Sequence, residues 1–199
     1  RSATLFSAEN ASKNNFMSNL ANYTVVAVLS HAKADNSGAE PVLYMQDSLI
    51  HLSELNMLKN VSANLVMLSA CQTNVGQNAT GEGVYSLARG FAAAGIPALS
   101  ATLWEADEQT VYALTEKMNE YLSQGNAKDE ALAKAKRFFL QDNTNETTLP
   151  YYWANMILIG NAEPLQFSAA SNNWWWIAGI AIIAAFGAAW FFTKRRTAK

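Results

Sequence analysis

The chain has a single cysteine, Cys71, among its 199 residues. One cysteine cannot close an internal disulfide, and it excludes metal sites built on cysteine pairs. The thiol is therefore free unless another chain supplies a partner. Positive charge is also scarce: 14 lysines and arginines face 16 aspartates and glutamates, and no long basic run occurs in the first 170 residues. The electrostatic footprint of nucleic-acid binding is missing, so no nucleic-acid partner is expected. There is no internal repeat and no low-complexity tract, and no metal or cofactor is expected. The chain begins at Arg1 and not at methionine, with no visible signal peptide, which reads as a missing N-terminus.

Charge is absent altogether from Trp174 to Phe192, which reads WWWIAGIAIIAAFGAAWFF. Nineteen helical residues span about 28 Å, close to the thickness of a bilayer core. Aromatic residues close both ends, as in an interfacial belt, and Lys194, Arg195 and Arg196 follow. A transmembrane helix over 174–192 is expected, with a basic tail over 193–199. Gly179 and Gly187 stand eight apart and form no GxxxG pair. The positive-inside rule puts the tail in the cytoplasm and the folded domain in the periplasm or at the cell surface. That orientation requires a signal peptide upstream of Arg1; without one, the protein is tail-anchored and its domain is cytoplasmic. About 165 residues remain, enough for one domain with a core and too few for two. The expected organisation is a domain over 1–165, a linker over 166–173, then helix and tail.

Within the domain, apolar runs and turn residues alternate. Asn10–Leu20 has helical spacing, with Phe16 and Leu20 on one face and Asn10 or Ser12 as caps. Tyr23–Ser30 and Asn64–Ala70 are continuous runs read as buried strands. Val42–Gln46 and Ser48–Leu52 read as short strands joined near Asp47, followed by a short helix capped by Ser53. A helix is expected over Gly83–Ala94, stopped by Gly95 and Pro97, and a strand over Ala98–Leu103. Asp107–Leu122 is amphipathic, with Val111, Leu114, Met118 and Leu122 as its core stripe. Lys128–Leu140 is a further helix, with Ala131, Ala135 and Phe138 or Phe139 inward, and Asn155–Ile159 a last strand. Strands alternating with long helices predict an α/β fold with a mostly parallel sheet covered on both faces.

In such sheets functional groups collect beyond the carboxyl ends of the strands. His31 directly follows the first buried run and Cys71 directly follows the second. If the two strands are parallel neighbours, imidazole and thiol meet at one sheet edge. Imidazole can then take the thiol proton and the thiolate can attack a carbonyl carbon, with backbone amides after a strand end holding the oxyanion. Either residue alone reads more simply as structural; the two at equivalent ends, histidine before cysteine, favour catalysis.

The runs Leu65–Thr73 (LVMLSACQT), Gly81–Val84 (GEGV), Ser86–Arg89 (SLAR) and Ala93–Gly95 (AAG) resemble the CHAT family of caspase-like cysteine peptidases. So do Ser100–Trp104 (SATLW) with Asp107, Tyr151–Ala154 (YYWA), Leu158–Gly160 (LIG), and Leu29-Ser30-His31-Ala32 upstream. The likeness covers about 14–165. It implies a caspase-type α/β fold, a catalytic His31–Cys71 dyad, and proteolysis of protein or peptide substrates through an acyl-thioester. It also implies tetratricopeptide repeats upstream, with the first strand or two of the sheet lying before Arg1. Such enzymes commonly carry glycine after the histidine, where the amide helps to build the oxyanion site. Ala32 keeps that amide, but would be strained if the position required φ > 0. Gln72 and Glu82 are further candidates for oxyanion and loop support; Glu82, between two glycines, orients the loop after Cys71 or is simply solvated. Trp104 and Asp107 lie where the pocket for the residue before the cut is expected, Asp107 favouring a basic side chain there or acting only as a helix cap. His51 reads as structural. Two functions compete: a membrane-anchored cysteine endopeptidase, and a catalytically silent scaffold that recruits partner proteins.

Overall fold

Backbone pairing sorts the strands into two sheets. The computed structural model describes residues 3–33, 40–58, 61–69, 82–104, 107–142 and 146–166. Its strands are β1 (Val25–Leu29), β2 (Ala32–Lys33), β3 (Val42–Tyr44), β4 (Leu49–His51), β5 (Leu65–Ser69), β6 (Ala98–Thr102) and β7 (Met156–Gly160). Its helices are α1 (Lys13–Asn19), α2 (Leu52–Leu55), α3 (Glu82–Ala93), α4 (Glu108–Ser123), α5 (Lys128–Asp142) and α6 (Pro150–Trp153). The larger sheet has the order β1-β5-β6-β7, with β1, β5 and β6 parallel and β7 antiparallel to β6. The smaller sheet, β2-β3-β4, is antiparallel throughout. The α/β architecture with a mostly parallel, helix-flanked sheet is the one the alternation of runs predicts.

The larger sheet is covered on two faces because strand side chains alternate. Val28, Val66, Leu68, Leu99 and Ala101 join one cluster with Phe16 and Leu20 from the α1 segment, Leu55 from α2, and Leu87 and Phe91 from α3. The alternate residues of β5, Leu65 and Met67, are fully buried outside that cluster, on the face of α4 and α5. There α4 buries Val111, Leu114, Met118 and Leu122, each at most 2 % exposed. Each such side chain contributes about 1.5–3 kcal/mol through removal from water. In α5 the spacing left two candidates for the inward phenylalanine; Phe139 is buried, while Lys117 lies over the ring of Phe138. At the open edge, β1 leaves Ala27 and Leu29 exposed on the α4 side.

The local signals that end elements are visible. Ser12 is the N-cap of α1, its hydroxyl accepting from Asn15 N–H at 3.3 Å. Gly95 (φ +92) and Gly125 (φ +88) follow α3 and α4 in the left-handed region, where glycine carries no Cβ penalty. The α2 cap differs from expectation. His51 and not Ser53 is the N-cap, because Glu54 reaches back to accept from His51 N–H at 2.8 Å, while Ser53 N–H donates to the Glu40 carboxylate. Two further elements escaped the sequence pattern. β2 is only two residues long, and α6 is a single turn begun by Pro150. The chain after β7 remains part of the domain: Lys128 N–H and Nζ donate to the carbonyls of Ala162 and Glu163, each at 2.7 Å, and Leu165 is buried. Burial pushes the Lys128 ammonium below its ordinary pKa. One compact unit runs to Leu165. Among the described residues no helix is long and apolar enough to cross a membrane; the expected span 174–192 lies outside them.

Long-range polar contacts tie α1 to the small sheet. Lys13 N–H donates to Asp47 Oδ1 at 2.8 Å, and Lys13 Nζ reaches Leu49 O at 3.0 Å and Glu54 Oε1 at 2.5 Å. Hydrogen bonding from Lys13 holds both carboxylates below their usual pKa. A depressed folded-state pKa contributes stability above the unfolded value, and that contribution is lost as pH falls through the folded value. Urea unfolding between pH 7 and pH 3 should therefore show a stability gap between wild type and Glu54→Gln that is present at pH 7 and narrows as the pH falls. A gap independent of pH would show that the ion pair is not its source.

Gly160 closes β7 at φ +100, and a Cβ there would stand 2.2 Å from the Pro97 carbonyl oxygen. Gly160→Ala should cost roughly 2–3 kcal/mol in denaturant unfolding, from left-handed strain plus a clash with backbone that cannot swing away.

Candidate active site

The carboxyl ends of β1, β5 and β6 define one rim of the larger sheet, and the register along it is set by hydrogen bonds. β1 pairs with β5 at a constant offset of forty, from Val25 with Leu65 to Leu29 with Ser69. Ser30 N–H then donates to Ser69 O at 3.3 Å, which carries the pairing one residue beyond β1. His31 follows immediately and is exposed. The structure thus brings the histidine to the rim, beside the end of the strand that leads to the cysteine. Cys71 and Gln72 lie outside the described residues.

His31 is held from its other side by β3. Tyr44 N–H donates to His31 O at 2.9 Å, and Ser30 Oγ donates to Tyr44 O at 2.5 Å. Ala32 then pairs with Leu43. Because antiparallel pairs alternate, a hydrogen-bonded pair at His31 and Tyr44 makes Ala32 and Leu43 the next, non-bonded pair. The Ala32 N–H therefore points away from β3. Its methyl is fully buried in the cluster formed by α1, α2 and α3. Among the described residues Ala8 alone combines a side chain with positive φ, so Ala32 is unstrained and needs no glycine.

A cleft of about 140 Å³ opens on the α4 side of this rim. Leu29, Ser30 and His31 form one wall and Ser69 the back. Glu108, Val111 and Tyr112 of α4 form the facing wall. The Glu108 carboxylate, one turn earlier on α4, pushes the Tyr112 phenol above its ordinary pKa. Sequence reasoning missed Glu108 and Tyr112. Their i, i+4 spacing on a helix following a rim strand was the available signal.

Trp104 and Asp107 are further along the rim, past the end of β6. Trp104 Nε1 donates to Tyr151 O at 2.9 Å, and the two rings stack at 6.4 Å between centroids. Tyr151 is 55 % exposed and meets Tyr152 edge-on at 5.6 Å, so this aromatic shelf reaches solvent. Asp107 is the N-cap of α4: Thr110 N–H and Oγ1 each donate to Asp107 Oδ2 at 2.8 Å. Among the described residues the fully buried side-chain amide of Asn155 has no hydrogen-bond partner, although its backbone carbonyl accepts from Leu103 N–H at 2.9 Å. Glu82 opens α3, its side chain lying outside the described part. His51 stands in the small sheet, capping α2 with its Nδ1 3.5 Å from Glu40, which agrees with a structural role. Among the described residues no group of three His, Cys, Asp or Glu side chains is placed to hold a metal ion.

Compared with known proteins, residues 1–161 match the model of the CHAT domain family. No curated protein matches the chain.

The cap on α4 positions the Glu108–Tyr112 wall. Asp107→Ala should lower stability by about 1 kcal/mol in denaturant unfolding, the usual loss for an N-cap carboxylate, with Asp107→Asn retaining most of it.

Proposed function

The chain belongs to the CHAT domain family, whose fold is related to that of caspase-like cysteine peptidases, and on that premise we propose that it is a cysteine endopeptidase using His31 and Cys71 as a dyad. The observation that carries this reading is the register. Leu29 pairs with Ser69 at an offset of forty, and His31 and Cys71 are separated in sequence by the same forty residues.

In the proposed reaction His31 takes the Cys71 thiol proton and the thiolate adds to the substrate carbonyl carbon. The oxyanion is held by backbone amides. The Ala32 N–H, turned away from β3, is one candidate donor, and Gln72, next after the cysteine, supplies another. The tetrahedral intermediate collapses with cleavage of the C–N bond, and imidazolium His31 protonates the leaving amine. Water, deprotonated by His31, then adds to the thioester; its collapse frees the new carboxyl group and restores the thiol. The shelf of Trp104 and Tyr151 offers flat apolar area for substrate side chains along the same rim. The membrane span at 174–192, a basic cytoplasmic tail and upstream tetratricopeptide repeats belong to the same reading. Together they describe a peptidase held at a membrane and acting on proteins there.

Cys71 is the only cysteine among these 199 residues, so alkylation is read on the peptide that carries it. The longest form of the protein should be labelled with iodoacetamide from pH 5 to 9 and followed by mass. A working dyad gives rapid labelling below pH 7 that His31→Ala slows at least about tenfold, since the partner imidazole depresses the thiol pKa. Labelling that rises only near pH 8.5 and ignores His31 favours the silent scaffold instead.

A further inference from the structure

In the proposed reaction the amine released from the cut bond departs at His31, so the substrate beyond that bond begins at the imidazole. The order of the strands gives its direction. Trp104 stands past the end of β6, β5 lies between β6 and β1, and His31 follows β1 at the edge of the larger sheet. A substrate joined to the thiol after β5 therefore has the Trp104–Tyr151 shelf on its acyl side, and its leaving part passes His31 on the other. What stands beyond His31 is the small sheet, joined to it by Tyr44 N–H to His31 O at 2.9 Å.

That sheet turns one face inward. Ala32 pairs with Leu43 and Leu43 with Ile50, and each of the three is at most 1 % exposed. Directly paired residues point to the same face, and neighbours along a strand to opposite faces. The adjacent row, in which Tyr44 stands between His31 and Leu49, therefore lies on the outer face. Tyr44 is 38 % exposed and Leu49 is 37 % exposed, so an aromatic ring and an aliphatic side chain lie open in the row that begins with the imidazole. A cross-strand pair of this kind stabilises a hairpin wherever it occurs. This one is set apart by His31 as the third member of its row. Two strand spacings, about 10 Å, separate His31 from Leu49, the length of about three residues of extended peptide. Resting on the peptidase reading above, we infer that Tyr44 and Leu49 form the subsite for the leaving side of the substrate. They select substrates in which the residues directly after the cut bond are aromatic or large and aliphatic.

The test uses two vinyl sulfones built on the same acetyl-trialanine peptide, one with phenyl on the sulfone and the other with methyl. The thiolate adds to the vinyl carbon nearer the peptide, and the sulfone substituent extends to the leaving side. The second-order rate of Cys71 modification is measured for both on the longest form of the protein, each divided by its rate with free cysteine at the same pH. The phenyl-to-methyl ratio is independent of how much protein is folded. In wild type it should be about tenfold, the scale of removing one face of an aromatic ring from water. It should fall towards one in Tyr44→Ala, stay near the wild-type value in Tyr44→Phe, which keeps the ring, and fall by less in Leu49→Ala. Tyr151→Ala, on the acyl side, should leave the ratio where it is. A wild-type ratio near one, a high ratio that survives in Tyr44→Ala, or a ratio that Tyr151→Ala lowers more than Tyr44→Ala overturns the inference. Iodoacetamide labelling of wild type that depends on His31 separates the two readings: if it is present and the ratio is near one, only the leaving-side subsite fails; if it is absent, the dyad and the subsite built on it fail together.

Discussion

Hydrogen bonds between two parallel strands set the geometry on which everything else at the rim depends. From Val25 with Leu65 to Leu29 with Ser69, β1 and β5 keep one offset, and Ser30 N–H to Ser69 O extends it to the edge of the sheet. Slipping a parallel pair by one residue would turn every side chain to the opposite face. It would expose Val28 and Val66, which are buried against α1, α2 and α3. The core therefore protects the register, and the register places His31 at the rim beside the end of β5. Packing chemistry far from the rim acts in this way on the backbone that carries His31.

The small sheet has a different task. A histidine leaving the end of an edge strand would ordinarily lie in a loop. Here the chain is caught at once by β3, through Tyr44 N–H to His31 O and the pairing of Ala32 with Leu43. That capture orients the Ala32 amide away from β3 and buries its methyl. The small sheet is in turn secured to α1 by Lys13, which bridges to Leu49 O and Glu54. A chain of polar contacts on the surface thus reaches the backbone beside the proposed base. On the opposite side, α4 enters through the Asp107 cap and presents Glu108 and Tyr112 to the cleft. One wall is set by strand register and the other by a helix cap, so the cleft between them is built from local features of two distant segments.

Much of the fold was legible because its signals are local. The continuous apolar runs became β1 and β5, the short strands joined near Asp47 became the β3–β4 hairpin, and the stripe Val111, Leu114, Met118, Leu122 was buried as its spacing required. Signals shorter than a period were not legible. β2 has two residues and is a strand only because β3 is there to pair with it. The α2 cap moved from Ser53 to His51 because the Glu54 side chain reaches back across the turn. Ala32 carried a doubt about positive φ that no sequence can resolve, since backbone angle at a chain reversal follows from what the next strand pairs with.

The sequence by itself determined the family, the α/β alternation, the single cysteine of these residues and the one histidine that directly follows an apolar run. Each of these is written in residue identity and short-range periodicity, which do not depend on distant neighbours. Tertiary structure alone decided that β1 lies beside β5 and that Glu108 and Tyr112 share a cleft with His31. The paired strands are forty positions apart in the chain, and His31 is more than seventy from Glu108. Their proximity arises from a sheet order and a helix docking that satisfy backbone hydrogen bonds and bury two apolar faces at once, and no local pattern encodes which distant segments do so together.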